Sequence, residues 1–263
     1  MKNVMLFLGR LGIPSAILLI LTTVTSLAEI QSGQVVVKAV TGDVSASNNT
    51  NDWKPVKAGD QLMHGTTIKT GPNANADLIV DYNGTVLRLL PDSILELSKL
   101  DKQQSPTGVI TETSLNLRAG GLVGSQRKLA APSRLNVKVP GGTATIVGTE
   151  YLVRADGAVT VLSGAVTVTY NLPGNRGSVK VTVQAGFSFD PATGQVVPTT
   201  PEYLVNIIAD INTVRQNAQS FKTGGATVIV KPEEVMSPTG TGGRAATASG
   251  PSPSSGTRSP AGK

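Results

Sequence analysis

The chain has 263 residues, no cysteine, one tryptophan and one histidine, with 39% hydrophobic and only 15% charged residues. That composition excludes a disulfide or thiolate-zinc scaffold and leaves burial of Val, Ile and Leu in a β framework as the source of stability. The formal charge is +6, but Lys2, Arg10, Arg244, Arg258 and Lys263 sit near the two ends. The body is therefore almost neutral and lacks the basic, aromatic-interleaved surface of a nucleic-acid binder.

Residues 1–28 read as a secretory signal. Lys2 and Arg10 form a positive start, Ile13 to Val24 an apolar centre, and Ser26-Leu27-Ala28 offers small residues at the −3 and −1 positions. The apolar run falls short of the roughly 20 residues that a span requires. Cleavage before Glu29 is expected, placing the product in the periplasm or outside the cell with no stable membrane insertion.

Gln34 to Val40 is a Val-rich strand, Gly42-Asp43-Val44 turns into a second, and Ser45 to Asp52 reads as a surface loop. His64 precedes a Gly-bounded strand, Thr66 to Gly71, and as a lone histidine has no companions for the three or four ligands of a metal site. Next, Leu78-Ile79-Val80 and Val86 to Leu90 flank Asn83-Gly84, the signature of a type I′ hairpin with positive φ at both central residues. Asp77, Asp81 and Asp92 do not have calcium-loop spacing and read as turn residues. Lys99 to Gly108 is a polar loop, and Thr111 to Leu117 alternates as a half-buried strand.

Gly121 marks a turn, and Gln126 to Ser133 is a connector. Arg127, Lys128 and Arg134 form the positive cluster of the body, a solvated loop in the plain reading and a partner contact in the sharper one. Residues 134–168 read as four short strands stitched by glycines, with turns at Gly141, Gly148 and Gly164. Val179, Val181 and Val183 alternate, Gly186 turns the chain, and Phe187 and Phe189 alternate again.

The period then changes. Leu204, Ile207, Ile208, Ile211, Val214, Ala218 and Phe221 fall at helical spacing, with Thr200 as cap, Pro201 in the first turn and Gly224-Gly225 as the stop. An amphipathic helix of this kind is expected to lie on the β domain. Thr227 to Val230 is a last short strand. Residues 237–263 are Ser, Thr, Gly, Pro and Ala with three basic residues, too poor in apolar side chains to order themselves. The expected organisation is a signal at 1–28, a β domain at 34–198, a helix plus strand at 200–231 and a disordered tail at 237–263. The fold class is all-β, built of short Gly-turned strands, with one C-terminal amphipathic helix.

No catalytic constellation stands out. There is no G-x-S-x-G elbow, and Gly142 to Gly148 lacks the lysine of a phosphate loop and leads into a strand. The carboxylate pairs Asp77 with Asp81 and Glu150 with Asp156 have no evident cleft between them, and the scarcity of aromatics argues against a sugar-binding one. The expectation is a protein that is not an enzyme and has no cofactor or metal.

One resemblance joins these pieces. Gly42-Asp43-Val44, Trp53 to Leu62 with Gly59, and Thr66 to Gly71 are followed by Ala76-Asp77-Leu78 and Asp81-Tyr82-Asn83-Gly84. Leu117 to Leu122, Val139-Pro140, Gly148-Thr149-Glu150-Tyr151, Val161 to Val166 and Ala185-Gly186 complete the series. In this order, over about Val35 to Phe189, they resemble the FecR family domain. The resemblance implies a non-enzymatic β domain outside the bacterial cytoplasmic membrane, folded as a solenoid-like stack of short Gly-turned strands, with a β-sandwich as the alternative. Its best-known members relay a signal from an outer-membrane receptor to a cytoplasmic sigma factor through an N-terminal cytoplasmic segment. Here only Met1 to Arg10 and neighbouring residues precede the apolar run. The expectation is a stand-alone secreted member lacking the sigma-regulating segment and binding an envelope protein or polymer. A component of transmembrane signalling is the alternative, and a glycan-acting enzyme a distant third.

Overall fold

The computed structural model describes residues 29–48, 52–106 and 108–219, and the backbone of 222–223 and 226–227. The signal segment, Phe221, residues 228–230 and the 237–263 tail lie outside the described residues. In chain order the strands are β1 (Ile30–Ser32), β2 (Gln34–Thr41), β3 (Val44–Ser47), β4 (Lys54–Pro55), β5 (Gln61–Met63), β6 (Thr67–Thr70), β7 (Asn75–Val80), β8 (Val86–Leu89), β9 (Ile94–Ser105) and β10 (Gly108–Ala119). There follow β11 (Gly121–Ser125), β12 (Arg134–Val139), β13 (Gly142–Ile146), β14 (Glu150–Arg154), β15 (Val159–Ser163), β16 (Ala165–Asn171), β17 (Ser178–Gln184), β18 (Phe187–Asp190) and β19 (Gln195–Pro198). The helix α1 (Pro201–Ala218) comes next.

The strands form two sheets. Sheet A runs β17-β16-β13-β12-β10-β9-β6-β3-β4, with β1 added on β9; sheet B runs β19-β18-β15-β14-β11-β8-β7-β2-β5. The chain advances along both sheets together, from β4 and β5 at one end to β17 and β19 at the other. The protein is all-β with one C-terminal helix. Its short strands stack along one axis, and they do so as two sheets across a shared core. Pairing is antiparallel except between β10 and β12, so the stack differs from an all-parallel solenoid.

Alternation explains the core. In β12, Leu135, Val137 and Val139 point inward; β13 and β16 contribute Ala144, Ile146, Val166 and Val168. They meet Val35, Leu78, Leu87, Leu122, Tyr151 and Val161 from sheet B. Beneath α1, sheet B is buried on its other face too, which is why Leu78-Ile79-Val80 and Val86-Leu87 are continuous apolar runs. Ile79 and Val86 face Val214 and Ala218 of α1, and Val123 and Leu152 face Ile207 and Ile211.

Several details differ from the sequence reading. The stretch 134–168 holds five strands, β12 to β16. Ser45 to Ser47 and Lys99 to Ser105 belong to strands, their main-chain groups paired with β6 and β10. Gly121 is the first residue of β11; the positive φ of that turn belongs to Gly120, at 72°. Gly141 lies in a turn without positive φ, whereas Gly84, Gly148, Gly164 and Gly186 have it. The helix ends at Ala218, before the expected Phe221, and Gln219 is its C-cap in right-handed geometry. Thr200 occupies the N-cap position in extended conformation without a side-chain cap bond.

The Asn83-Gly84 hairpin is longer than a two-residue turn. Val80 N donates to Thr85 O at 2.9 Å and Gly84 N to Val80 O at 3.0 Å, so four residues form the loop. Gly84 has φ 67°, Asn83 is not among the positive-φ residues, and the Asn83 side chain accepts from Thr85 N at 3.0 Å. A valine at Gly84 is expected to cost about 1–2 kcal/mol, since the left-handed conformation strains a Cβ; urea denaturation measures it.

Candidate interaction surface

The three cations of the sequence cluster meet at one lateral edge of the sandwich. Gln126, only 5% exposed, fixes the root of the connector: its N–H donates to Thr149 O at 3.0 Å and its Oε1 accepts from Gly148 N at 3.3 Å. Arg127 and Lys128 follow, both exposed. Gly148 has φ 65°, and a Cβ there would stand 2.9 Å from Lys128 Cα, so the connector lies directly on this glycine. Leu135 pairs with Ile146, which sets Arg134 and Val147 side by side at the ends of their strands. Val147 is 51% exposed. Val147 thus stands beside Arg134 in register and next to the glycine on which Lys128 rests. The acid next to them in register is Glu112, opposite Arg134, and it is held by Lys99.

A second polar constellation clamps α1 to sheet B. Asp77 stands in β7, only 2% exposed, and is not the turn residue expected. Arg88 on the neighbouring β8 grips it with two bonds, Nε to Oδ1 at 2.7 Å and Nη2 to Oδ2 at 2.8 Å. Arg88 Nη1 reaches Asp210 of the helix at 3.0 Å, and Asn217 donates to Asp77. The Asp77 carboxylate holds the Arg88 guanidinium pKa above its usual value. One turn further, Arg215 donates to Glu150 and, at 2.9 Å, to Ser125 Oγ. The carboxylates singled out by sequence are thus engaged: Asp77 by Arg88, Glu150 by Arg215, Asp81 by Gln34 N at 3.3 Å and Asp156 by Arg154 at 3.1 Å. Among the described residues, no group of three or more His, Asp or Glu is arranged to hold a metal ion.

Tyr82 fastens the hairpin tip. Its ring lies over Gly33, where a Cβ would fall 2.0 Å from Cε1, and its hydroxyl bonds Thr113 Oγ1 at 2.8 Å. Burial pushes the Tyr82 hydroxyl up to about 12 from 10.0, against a smaller opposing effect of the Thr113 bond. Tyr151, fully buried, is raised by burial as well. A folded pKa above the unfolded one gives stability that is complete below the unfolded pKa and is lost as pH rises through the folded one. Urea titrations are therefore expected to show falling stability from pH 10 towards 12, with a shallower slope in Tyr82→Phe.

These features sit on an all-β, two-sheet domain of stacked short strands. Residues 66–167, from just before β6 into β16, match the family described as FecR protein. Two crystal structures of a candidate anti-sigma factor from Parabacteroides distasonis ATCC 8503 are similar to it, at 15% and 14% identity and TM-scores of 0.37 and 0.36. Each alignment spans 51% of this chain and 59% of theirs. No curated protein matches the chain.

Proposed function

We propose that the chain is a non-enzymatic interaction module of the bacterial cell envelope, exported by its N-terminal signal and presenting a rigid two-sheet surface to an envelope protein or polymer. The observation that carries this reading is the FecR match across the central strands, residues 66–167. Inside that stretch lie Arg127, Lys128, Arg134 and the exposed Val147, a surface suited to an acidic partner.

Affinity capture from envelope extracts tests it. The wild-type chain is expected to retain a reproducible partner that the triple variant Arg127→Gln, Lys128→Gln, Arg134→Gln loses at unchanged melting temperature. Identical captured sets, or none from either form, remove the basis for the proposal. The FecR match equally supports a second reading, a component of transmembrane signalling. Mass analysis of the exported protein separates the two: a chain beginning at Glu29 is detached from the membrane, and a retained leader favours signalling.

A further inference from the structure

At the β4 and β5 end, both sheets stop on short edge strands, and a cavity of about 310 Å³ opens between them. Its floor is apolar, with Val56 at 7% and Leu62 at 9% exposure. Thr66 Oγ1 donates to Asn48 Oδ1 at 2.7 Å and closes one wall. At the mouth, Asp52 is paired with Lys54 at 3.1 Å. Asp60 also lines the mouth; its Oδ2 accepts from Lys57 N at 2.8 Å, and among the described residues it makes no ion pair.

Among the described residues, the edge beside this cavity leaves main-chain groups without a partner in a defined order. Val37 N donates to Asp60 O at 2.9 Å, and Asp81 N donates to Gln34 O at 3.1 Å on the opposite side of β2. Val35 stands opposite Leu62, and Gln34 and Val36 stand opposite Met63 and Gln61. An antiparallel ladder alternates bonded and non-bonded pairs. Leu62 therefore bonds inward to Val35, while the N–H and C=O of Gln61 and the N–H of Met63 face outward. The Met63 C=O is already taken by Thr66 N at 3.2 Å. Met63 itself is 46% exposed.

We propose that this edge takes an extended segment of a partner protein as an added strand on β5, with a lysine or arginine side chain seated in the cavity. Side chains of an added strand alternate, so one of them enters the space between the sheets. Val56 and Leu62 accommodate the aliphatic stem of a long basic side chain, and Asp60 meets its charge at the mouth. An acidic side chain would meet Asp60 as a like charge. The cavity volume is at the lower end of the range for ligand sites, suited to one side chain and its backbone. This inference rests on the reading of the chain as an interaction module and assigns it a site at a different place from the basic edge.

The test uses the full chain, isotope-labelled for amide NMR, titrated with acetyl-Thr-Val-Lys-Val-Thr-amide and with the same peptide carrying Glu or Leu in place of Lys. The lysine peptide is expected to shift amides between Val56 and Thr66 and to bind about tenfold more tightly than the glutamate peptide. Asp60→Asn, which keeps an acceptor for Lys57 N, is expected to erase that preference. Met63→Pro removes an outward N–H without touching a bond to β2, and is expected to weaken every peptide by about tenfold, the worth of one to two main-chain hydrogen bonds. No shift at these amides, equal binding of the Lys and Glu peptides, or unchanged binding by a folded Met63→Pro variant overturns the proposal. So does protein-concentration dependence without peptide, which identifies a second copy as occupant. Shifts that appear only after truncation behind Gln219 identify the chain's own C-terminal segment and also overturn it. If envelope capture succeeds while the peptides fail, the edge proposal alone falls; if both fail, the module reading falls with it.

Discussion

Replacing Arg88 with methionine is expected to destabilise the domain by about 3 kcal/mol or more, measured by urea denaturation. Removing one partner of a buried ion pair leaves the other charge without compensation, at a cost of roughly 3–5 kcal/mol. Asp77 is that other charge, with its side chain 3% exposed, and Arg88 supplies two of its hydrogen bonds. The Asn217 bond survives the substitution but does not neutralise the carboxylate. The double variant Arg88→Met, Asp77→Leu is expected to recover much of the loss, because an apolar pair of similar volume replaces a buried ion pair at little cost. A single variant as stable as wild type would show that Asp77 is hydrated in the fold, contrary to its burial.

Removing the helix is the other large effect. A chain ending at Pro198 would expose Ile79, Val86, Val123 and Leu152 on sheet B and lose the burial of Ile207, Ile211, Val214 and Ala218. Each such side chain contributes roughly 1.5–3 kcal/mol when fully buried, offset in part by the entropy of ordering the helix. The expected outcome is a melting temperature lower by about 10 °C or more, at roughly 2–4 °C per kcal/mol for a domain of this size. Binding of a hydrophobic dye to the bared face should accompany it. Ile211→Ala in the intact chain should reproduce part of the loss, about 2–3 kcal/mol. An unchanged melting temperature after truncation would mean that the helix rests on the sheet without stabilising it.

The strands that face solvent on one side were the legible ones. Leu135, Val137 and Val139 alternate with Arg134, Asn136 and Lys138 because β12 has one core face and one wet face. β9 gave no such signal beyond Leu100, since its outer half reaches past the core and both faces are polar. The helix was legible from its period, but its seat was not. That seat is written in the unbroken apolar runs of β7 and β8, which signify two buried faces. The Asp77–Arg88 pair was hidden by loop length. A two-residue Asn83-Gly84 turn would set Asp77 opposite Leu90, whereas the four-residue loop sets it opposite Arg88. Charged residues inside two apolar runs were the available clue. At the basic edge, Arg127 and Lys128 are neighbours in sequence; Arg134 and Val147 are brought to them by the β12–β13 register. The end cavity joins edge strands from separate sheets and has no linear signature.

The helix also alters how the stack can come apart. Most strands touch partners close in sequence, an arrangement that lets an end peel away while the remainder stays folded. α1 lies across β2, β7, β8, β11 and β14 and ties them into one cooperative block. Among the described residues, α1 makes no comparable contact with the β16 to β19 end. Amide hydrogen exchange should accordingly be graded along the axis: slow and collective beneath the helix, faster where β17 and β19 terminate the sheets. Mechanical or proteolytic attack would enter from that end.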